Sequence, residues 1–466
     1  MLPAGLLKSS APGTADWQLQ PGGPPNSIKG MGNAKLQVAL DFLELSRAMQ
    51  VAEQAVAGGA DYIEAGTPLI KSEGLDAVRR LRERFPEHTI IADLKTMDAG
   101  RIETEAAAKA GANVVTVLAA ASEATIRECV EAGRHYGCLV AVDLMGLADP
   151  VGFARRARDM GVAWLDVHCP IDAQMSGQDP LALLRQVRAA TDLTVAAAGG
   201  LNSETVAAAV EAGADVLIVG GAITKAVDPA RAAADIRQAI ATGKPVATEH
   251  FKRVTEADIR QALEKVRTSN VSDGAHRRPC LAGLHPLQPG QLACGPAVTV
   301  RTLPGDWAKP VEAIDAAKPG DIIVIDAGGQ TPAVWGELAT ESAKNKGVAG
   351  LVVYGAVRDT ADIRRLGLPV WSTHVCSHAG NPNGLGEINQ PLSISGQAIY
   401  PGDWILADDD GVMVLPRAQA VEMANRAADV LEAENRIRAE IRDTSGTLAK
   451  VVNLLRWEKR GGPSAG

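Results

Sequence analysis

Aromatic residues are scarce in this 466-residue chain, at 3% of the total. Proteins that hold single-stranded nucleic acid stack bases on aromatic faces, so that class of function is disfavoured. A basic surplus is missing too: 47 Lys and Arg against 55 Asp and Glu leave a formal net charge of -8. This balance argues against nucleic acid as a partner but leaves room for a phosphorylated metabolite, which needs only local positive groups. No apolar run approaches the length of a membrane span. None of the six cysteines forms a C-x-x-C pair, which excludes a zinc knuckle or dithiol motif and suits reduced thiols in a cytoplasmic protein. A Gly-x-Gly-x-x-Gly is absent after Ala39-Leu40-Asp41-Phe42, so an open doubly wound sheet is the less favoured architecture.

What is present is 46% hydrophobic residues, enough for two or three cores. The leader 1–33 is rich in Pro, Gly and Ser, lacks the apolar core of a signal peptide and is expected to be disordered, like 461–466 at the end of a C-terminal tail over 446–466. Between about 34 and 243, short β-rich runs alternate with Ala/Glu/Arg-rich helical stretches. The expected strands are 36–42, 62–66, 89–95, 114–119, 139–145, 164–169, 194–200 and 216–223. Three helix endings repeat: Ala57-Gly58-Gly59-Ala60, Lys109-Ala110-Gly111-Ala112 and Glu211-Ala212-Gly213-Ala214. Glycine there closes a helix in the left-handed conformation before the next strand. Eight such units have the rhythm of an α/β fold of the (β/α)8 TIM barrel type.

Polar residues recur where the barrel strands should end. Asp41 ends the first, Glu64 lies late in the second, and Asp93 and Lys95 end the third. Asp143 lies late in the fifth and His168 in the sixth, while Gly199-Gly200 and Gly220-Gly221 end the last two. Residues two apart share a strand face, so Asp93 and Lys95 project together. In a barrel these groups meet at the C-terminal mouth, where catalysis sits. Converging carboxylates need counter-charges, and all-oxygen ligation suits Mg2+, or Mn2+ in its place. Paired glycines before helices offer bare N–H groups to a phosphate. A cation and Lys95 would stabilise an enediolate, and His168 could move the proton. Singly, each acid is as readily a solvated strand end and His168 a satisfied core residue, and Cys169 reads as plain packing.

Asp93-x-Lys95-x-x-Asp98 resembles the signature of the orotidine-monophosphate decarboxylase superfamily. The wider text 36–41, 63–70 and 93–100 resembles the 3-hexulose-6-phosphate synthases. That resemblance implies a dimer of barrels, Mg2+, and aldol addition of D-ribulose 5-phosphate to formaldehyde. It implies Glu64 and Asp93 as metal ligands and Asp41 and Lys95 as contacts to substrate hydroxyls and enediolate. His168 becomes the acid/base, Asp143 a substrate contact, and Asp98 a residue that enters the neighbouring subunit's site. The 3-keto-gulonate-6-phosphate decarboxylases share these residues but would place arginines at Ile171 and Ala222, Glu at Asp143 and Thr at Ala198. Those positions favour the synthase.

A boundary is expected near 243–252, with a linker at 244–254 and a second, layered α/β domain over 255–445. Lys318-Pro319-Gly320-Asp321 is echoed by Tyr400-Pro401-Gly402-Asp403, each a turn launching a buried strand. A closing helix is expected over 417–442, with apolar Val421, Leu431, Ile437 and Ile441 turned to a neighbour. Ser269–Gly274, Gly336-Glu337-Leu338 and Gly355-Ala356-Val357-Arg358-Asp359 resemble the RraA-like family of pyruvate aldolases and ribonuclease regulators. The resemblance implies Asp359 as Mg2+ ligand, Arg358 as substrate and oxyanion contact, and the Leu338 and Ala339 amides as the cradle of a 2-oxo acid. A non-catalytic assembly or regulatory role for this domain stays open. Both resemblances imply a homo-oligomer with active sites at interfaces.

Overall fold

The structure, a computed structural model, describes residues 33–169, 181–248 and 251–452. Most of the expected leader and the end of the tail therefore lie outside the described residues, as does Ile171. No helix among the described residues is long and apolar enough to cross a membrane.

Eight parallel strands close into a barrel: β1 (Lys35–Leu40), β2 (Tyr62–Ala65), β3 (Thr89–Thr96), β4 (Val114–Leu118), β5 (Leu139–Asp143), β6 (Trp164–His168), β7 (Thr194–Ala198) and β8 (Val216–Val219). Closure is made by β8 against β1, with Val38 opposite Val219. Several strands stop earlier than the sequence suggests, so Asp41, Gly199, Gly200 and Gly220 lie on loops, and Gly221 in a helix, rather than in strands. The reason is conformational: Gly199 and Gly200 have φ of 103° and 71°, which extended backbone does not allow, and Gly221 already opens a short helix.

The repeated helix ending is a repeated joint. Gly59, Gly111 and Gly213 all have φ near +100°, and the alanine after each donates its N–H back to the carbonyl five residues earlier, at 3.0–3.1 Å. The next residue, Asp61, Asn113 or Asp215, then accepts from the backbone N–H of Leu36, Ile90 or Val195 at 2.8–2.9 Å. Each joint thus stitches a strand start to the neighbouring strand on the N-terminal face. Above it, Ile91, Val114, Ala141 and Trp164 plug the barrel floor, with Tyr62 stacked on Trp164. The apolar floor leaves the polar side chains above it no exit except the C-terminal mouth.

The second domain is built on a mixed sheet. Its parallel centre is β9 (Ala293–Arg301), β10 (Ile322–Asp326), β11 (Gly350–Val357) and β12 (Val370–Val375), and β13 (Trp404–Asp408) adds antiparallel to β9. The two echoed turns are the same device: Asp321 and Asp403 each accept from the N–H three residues earlier at 2.8 Å, with Gly320 and Gly402 at positive φ. Asp408 is buried against Thr268, whose N–H and hydroxyl it accepts, so this acid is structural.

The closing helix runs from Ala420 to Thr444 after a short 3-10 turn at Arg417–Gln419. Its buried face is Ala420, Met423, Ala424, Asn425 and Ala427, while Leu431, Ile437 and Ile441 are half-buried. The same helix reaches the barrel: Arg47 meets Glu440 at 3.3 Å and Lys225 meets Asp429 at 2.7 Å. The stretch expected as a linker is stitched down on both sides. Ser203 bonds Val246 in both directions, and Val254 donates to Asn425 at 2.9 Å.

Candidate active site at the barrel mouth

The mouth encloses a cavity of about 630 Å3 lined by Asp41, Glu64, Asp93, Lys95, Asp143, Asp166 and His168, and by all four glycines of the paired loops. The sequence places most of these groups correctly. For Lys95 the route differs: its φ is 47°, so the strand's alternation breaks there and the β3–β4 register shifts. The broken alternation still delivers the ammonium to its neighbour, with Lys95 Nζ donating to Asp93 Oδ2 at 2.5 Å. A left-handed backbone at a lysine carries a strain of about 1–3 kcal/mol, held in place by the packing around it.

Asp93 is held on three sides. Thr116 Oγ1 donates to Oδ1 at 2.7 Å, while Thr67 Oγ1 and Lys95 share Oδ2. Asp143, 2% exposed, bonds His168 Nδ1 through Oδ2 at 3.0 Å and accepts the Met145 N–H through Oδ1 at 2.8 Å. Burial would raise the Asp143 carboxyl, but the hydrogen bond and charge of His168 and the nearby Lys95 outweigh it and hold it low. Burial likewise works against the Lys95 ammonium; Asp93, Glu64 and Asp143 overcome it and push its pKa up. Lys95 therefore stays charged throughout the physiological range.

The remaining acids go the other way. Burial first, then the charges of Asp93 and Asp41, raise Glu64 well above the usual carboxylate range, although Gln37 Nε2 donates to it at 2.5 Å. Asp41 is raised by burial and then by Asp93. Asp166 is raised well above its ordinary value by burial, Asp143 and Asp93, and its Oδ1 is buried with no hydrogen-bond partner. Asp41, Glu64, Asp93, Asp143 and Asp166 thus gather about Lys95 and His168, with Lys225 and Arg253 at another wall of the cavity. That excess of carboxylate, with an orphaned oxygen, is a donor set suited to a divalent cation of the hard, oxygen-seeking kind. Among the described residues no cluster of three or more His, Cys, Asp or Glu is drawn together as a finished metal site. Two protein carboxylates completed by water and substrate are the arrangement that fits Mg2+.

Asp166 was missed in the sequence, though Trp164-Leu165-Asp166-Val167-His168 places it on the same strand face as His168. Gln37, Thr67 and Thr116 were missed because neutral polar residues in strands carry no distinctive signal. Asp98 lies outside the cavity, exposed, with its carboxylate on the Ala99 N–H and with exposed Met97 and Ile102 nearby in the chain. Cys169 is buried, as packing requires, and Ala198 lines the cavity.

In the second domain Arg358 and Asp359 leave β11 together. Asp359 has a φ of 56° and its Oδ2 accepts the Glu337 N–H at 3.2 Å, 3.5 Å from Arg358 Nε. Gly336 permits this approach, since a Cβ there would lie 2.6 Å from the carboxylate. Leu338 and Ala339 follow in the first turn of the helix Glu337–Asn345, with the Leu338 side chain 79% exposed. The group is assembled but open to solvent on a single chain.

An eight-stranded parallel barrel with a lysine among buried carboxylates at its C-terminal mouth defines an enzyme of the α/β barrel lyase class. Residues 34–236 match the family described as orotidine 5'-phosphate decarboxylase / HUMPS, and residues 268–414 match the RraA-like family described as aldolase/RraA. Over 207 residues the chain is 40% identical to the 3-hexulose-6-phosphate synthase of Mycobacterium gastri, 44% of this chain and 100% of that protein. It is 40% identical over 204 residues to the enzyme of that name from Methylomonas aminofaciens, 44% of this chain and 97% of that protein. A solved structure titled as the RNA-processing inhibitor RraA from Thermus thermophilis is 30% identical over 32% of this chain and 92% of its own, with a TM-score of 0.31. The chain belongs to the 3-hexulose-6-phosphate synthase family through its barrel and carries an RraA-like domain behind it.

Proposed function

We propose that the barrel catalyses the reversible, Mg2+-dependent aldol addition of D-ribulose 5-phosphate to formaldehyde, giving D-arabino-3-hexulose 6-phosphate. The observation that carries this reading is Lys95, kept charged among Asp93, Glu64 and Asp143 beside the His168–Asp143 pair. Asp143 at Nδ1 favours the tautomer with its proton on that nitrogen, leaving Nε2 free to act as base. His168 then takes a proton from C1 of the ketose, and the electron pair moves towards the C2 oxygen. Lys95 donates to the enediolate oxygen, and Asp41 orients the substrate hydroxyls. C1 forms the new bond to the formaldehyde carbon, whose oxygen receives the proton. Glu64 and Asp93 would hold the cation, which when bound adds electrophilic stabilisation of the same oxygens. The glycine-pair amides take the phosphate.

The test is product analysis with ribulose 5-phosphate and formaldehyde, with Asp93→Asn as the control variant. Activity should collapse in Asp93→Asn, and near-full activity there refutes the ligand role. Release of CO2 from a 3-keto-gulonate 6-phosphate, without formaldehyde uptake, would assign the barrel to the decarboxylases instead.

The second domain reads as a Mg2+-dependent aldolase or oxaloacetate decarboxylase. Asp359 is its metal ligand, Arg358 its carboxylate and oxyanion contact, and the Leu338 and Ala339 amides its 2-oxo acid cradle. Its exposure on one chain supports a homo-oligomer in which a neighbouring subunit closes the site. Oxaloacetate decarboxylation by the full chain no greater than that of Asp359→Ala would leave this domain an assembly or regulatory module.

A further inference from the structure

One wall of the barrel's cavity is not made by the barrel. Phe251 and Arg253 follow its last helix, Pro229–Thr242, and Asp429 belongs to the long helix of the second domain. The family match for the barrel ends at residue 236, before all three. They line the same cavity as Gly199, Gly200, Gly220 and Gly221.

Asp429 binds two cations at once, accepting from Lys225 Nζ at 2.7 Å through Oδ2 and from Arg253 Nη1 at 3.1 Å through Oδ1. The Arg253 guanidinium lies 4.3 Å from the centroid of the Phe251 ring, and the Lys225 ammonium 5.6 Å from it. Arg253 Nε is buried without a hydrogen-bond partner, so the guanidinium fork is not fully used. Phe251 is itself held firmly. Its φ is 56°, its N–H donates to Glu432 and its carbonyl accepts from Asn202 Nδ2 at 3.1 Å. It fits because Gly221 has no side chain; a Cβ there would lie 2.1 Å from the ring. Asp429 is thus shared between two cations that line the cavity beside the glycine amides, with Glu432 in electrostatic reach of both and Asp41 of Lys225.

We propose that Arg253 and Lys225 grip the substrate's phosphate and that Asp429 holds the same two cations when the phosphate is absent. Phosphate and the second domain's helix then compete for one cation pair. The inference rests on the reading of the barrel as an enzyme of sugar phosphates. It makes the RraA-like domain a positioning element of the barrel's site, and the coupling is reciprocal: what moves the helix changes phosphate affinity, and phosphate changes the hold on the helix.

The test uses the full chain with Arg253→Gln, Arg253→Lys and Asp429→Asn, by steady-state kinetics with ribulose 5-phosphate and by calorimetric titration of inorganic phosphate. A charged hydrogen bond of about 1.5–3 kcal/mol corresponds to roughly ten- to hundredfold. Arg253→Gln should raise KM and the phosphate dissociation constant on that scale, well beyond any change in kcat, with Arg253→Lys recovering part. Asp429→Asn should tighten both. A structural tie would instead weaken binding in both Arg253→Gln and Asp429→Asn, and that result overturns the competition. Unchanged phosphate affinity in Arg253→Gln overturns the grip. If the wild type shows no aldol turnover but the phosphate titrations follow this pattern, the reaction assigned to the barrel fails while the grip stands.

Discussion

The two candidate sites use the same chemistry in opposite settings. At the barrel mouth Asp93 and Asp143 have side chains 6% and 3% exposed; at the RraA-like site Arg358 and Asp359 are 46% and 42% exposed. Burial in the barrel turns neighbouring charges into large preferences for one protonation state, and each acid differs from the next. On the open edge of the second domain water screens the pair, which by itself holds about 0–1 kcal/mol. The first site draws its buried charges from strands of its own chain, whereas the second lies open to water on that chain. Polar residues make a site only when the fold also removes solvent.

The strongest way to break this comparison is Lys95→Ala. Removing the buried cation should lower kcat/KM by roughly a hundred- to a thousandfold, as loss of an oxyanion donor does; a change below tenfold would show that burial confers no special power on it. Chelation with EDTA should abolish aldol turnover and Mg2+ restore it. Persistence of turnover in metal-free protein would reassign the acid cluster. Asp359→Ala should leave ribulose 5-phosphate turnover within about twofold, since an exposed, screened pair has little reach beyond a Debye length. A larger loss would reveal that the two sites are not independent.

The smallest expected effect concerns stability. Asp166 is raised by burial and by Asp143 and Asp93, so in metal-free protein the folded chain holds its proton more tightly than the unfolded one. Its contribution is present in full below the ordinary carboxylate value near 4 and is lost as pH rises through the raised folded value. Asp166→Asn should therefore flatten the fall of Tm between mildly acid and neutral pH. It should raise Tm at pH 8 by roughly 2–4 °C per kcal/mol recovered. A variant that melts in parallel with the wild type at every pH would remove Asp166 from the charge cluster.

Much of this was legible in residues taken one strand at a time. The repeated Gly-Ala joints and the polar ends of strands announced the barrel, because helix closure and strand alternation are local rules. Asp166 obeyed the same rule and was overlooked beside His168. Lys95 reaches the face that alternation assigns it although its backbone departs from the strand, a left-handed turn with no local signal in the sequence. Arg253 and Asp429 had no local signal: an arginine in an expected linker and an aspartate on a charged helix acquire meaning only once the fold brings them to Lys225. The same holds for Gly221, which reads as a phosphate glycine and also makes room for Phe251.

The span between Arg253 and Asp429 has a consequence for how the protein is made. The two residues of that ion pair are 176 positions apart. At roughly 5–20 residues per second, a ribosome takes about 10–35 seconds to travel that distance. The barrel sequence emerges first, with Lys225 and Arg253 lacking their carboxylate and one side of the cavity open to water. The helix that carries Asp429 is made only after the second domain's sheet. A chain cut short in the second domain would carry the acids of the barrel strands and still lack Asp429, which sets its two cations.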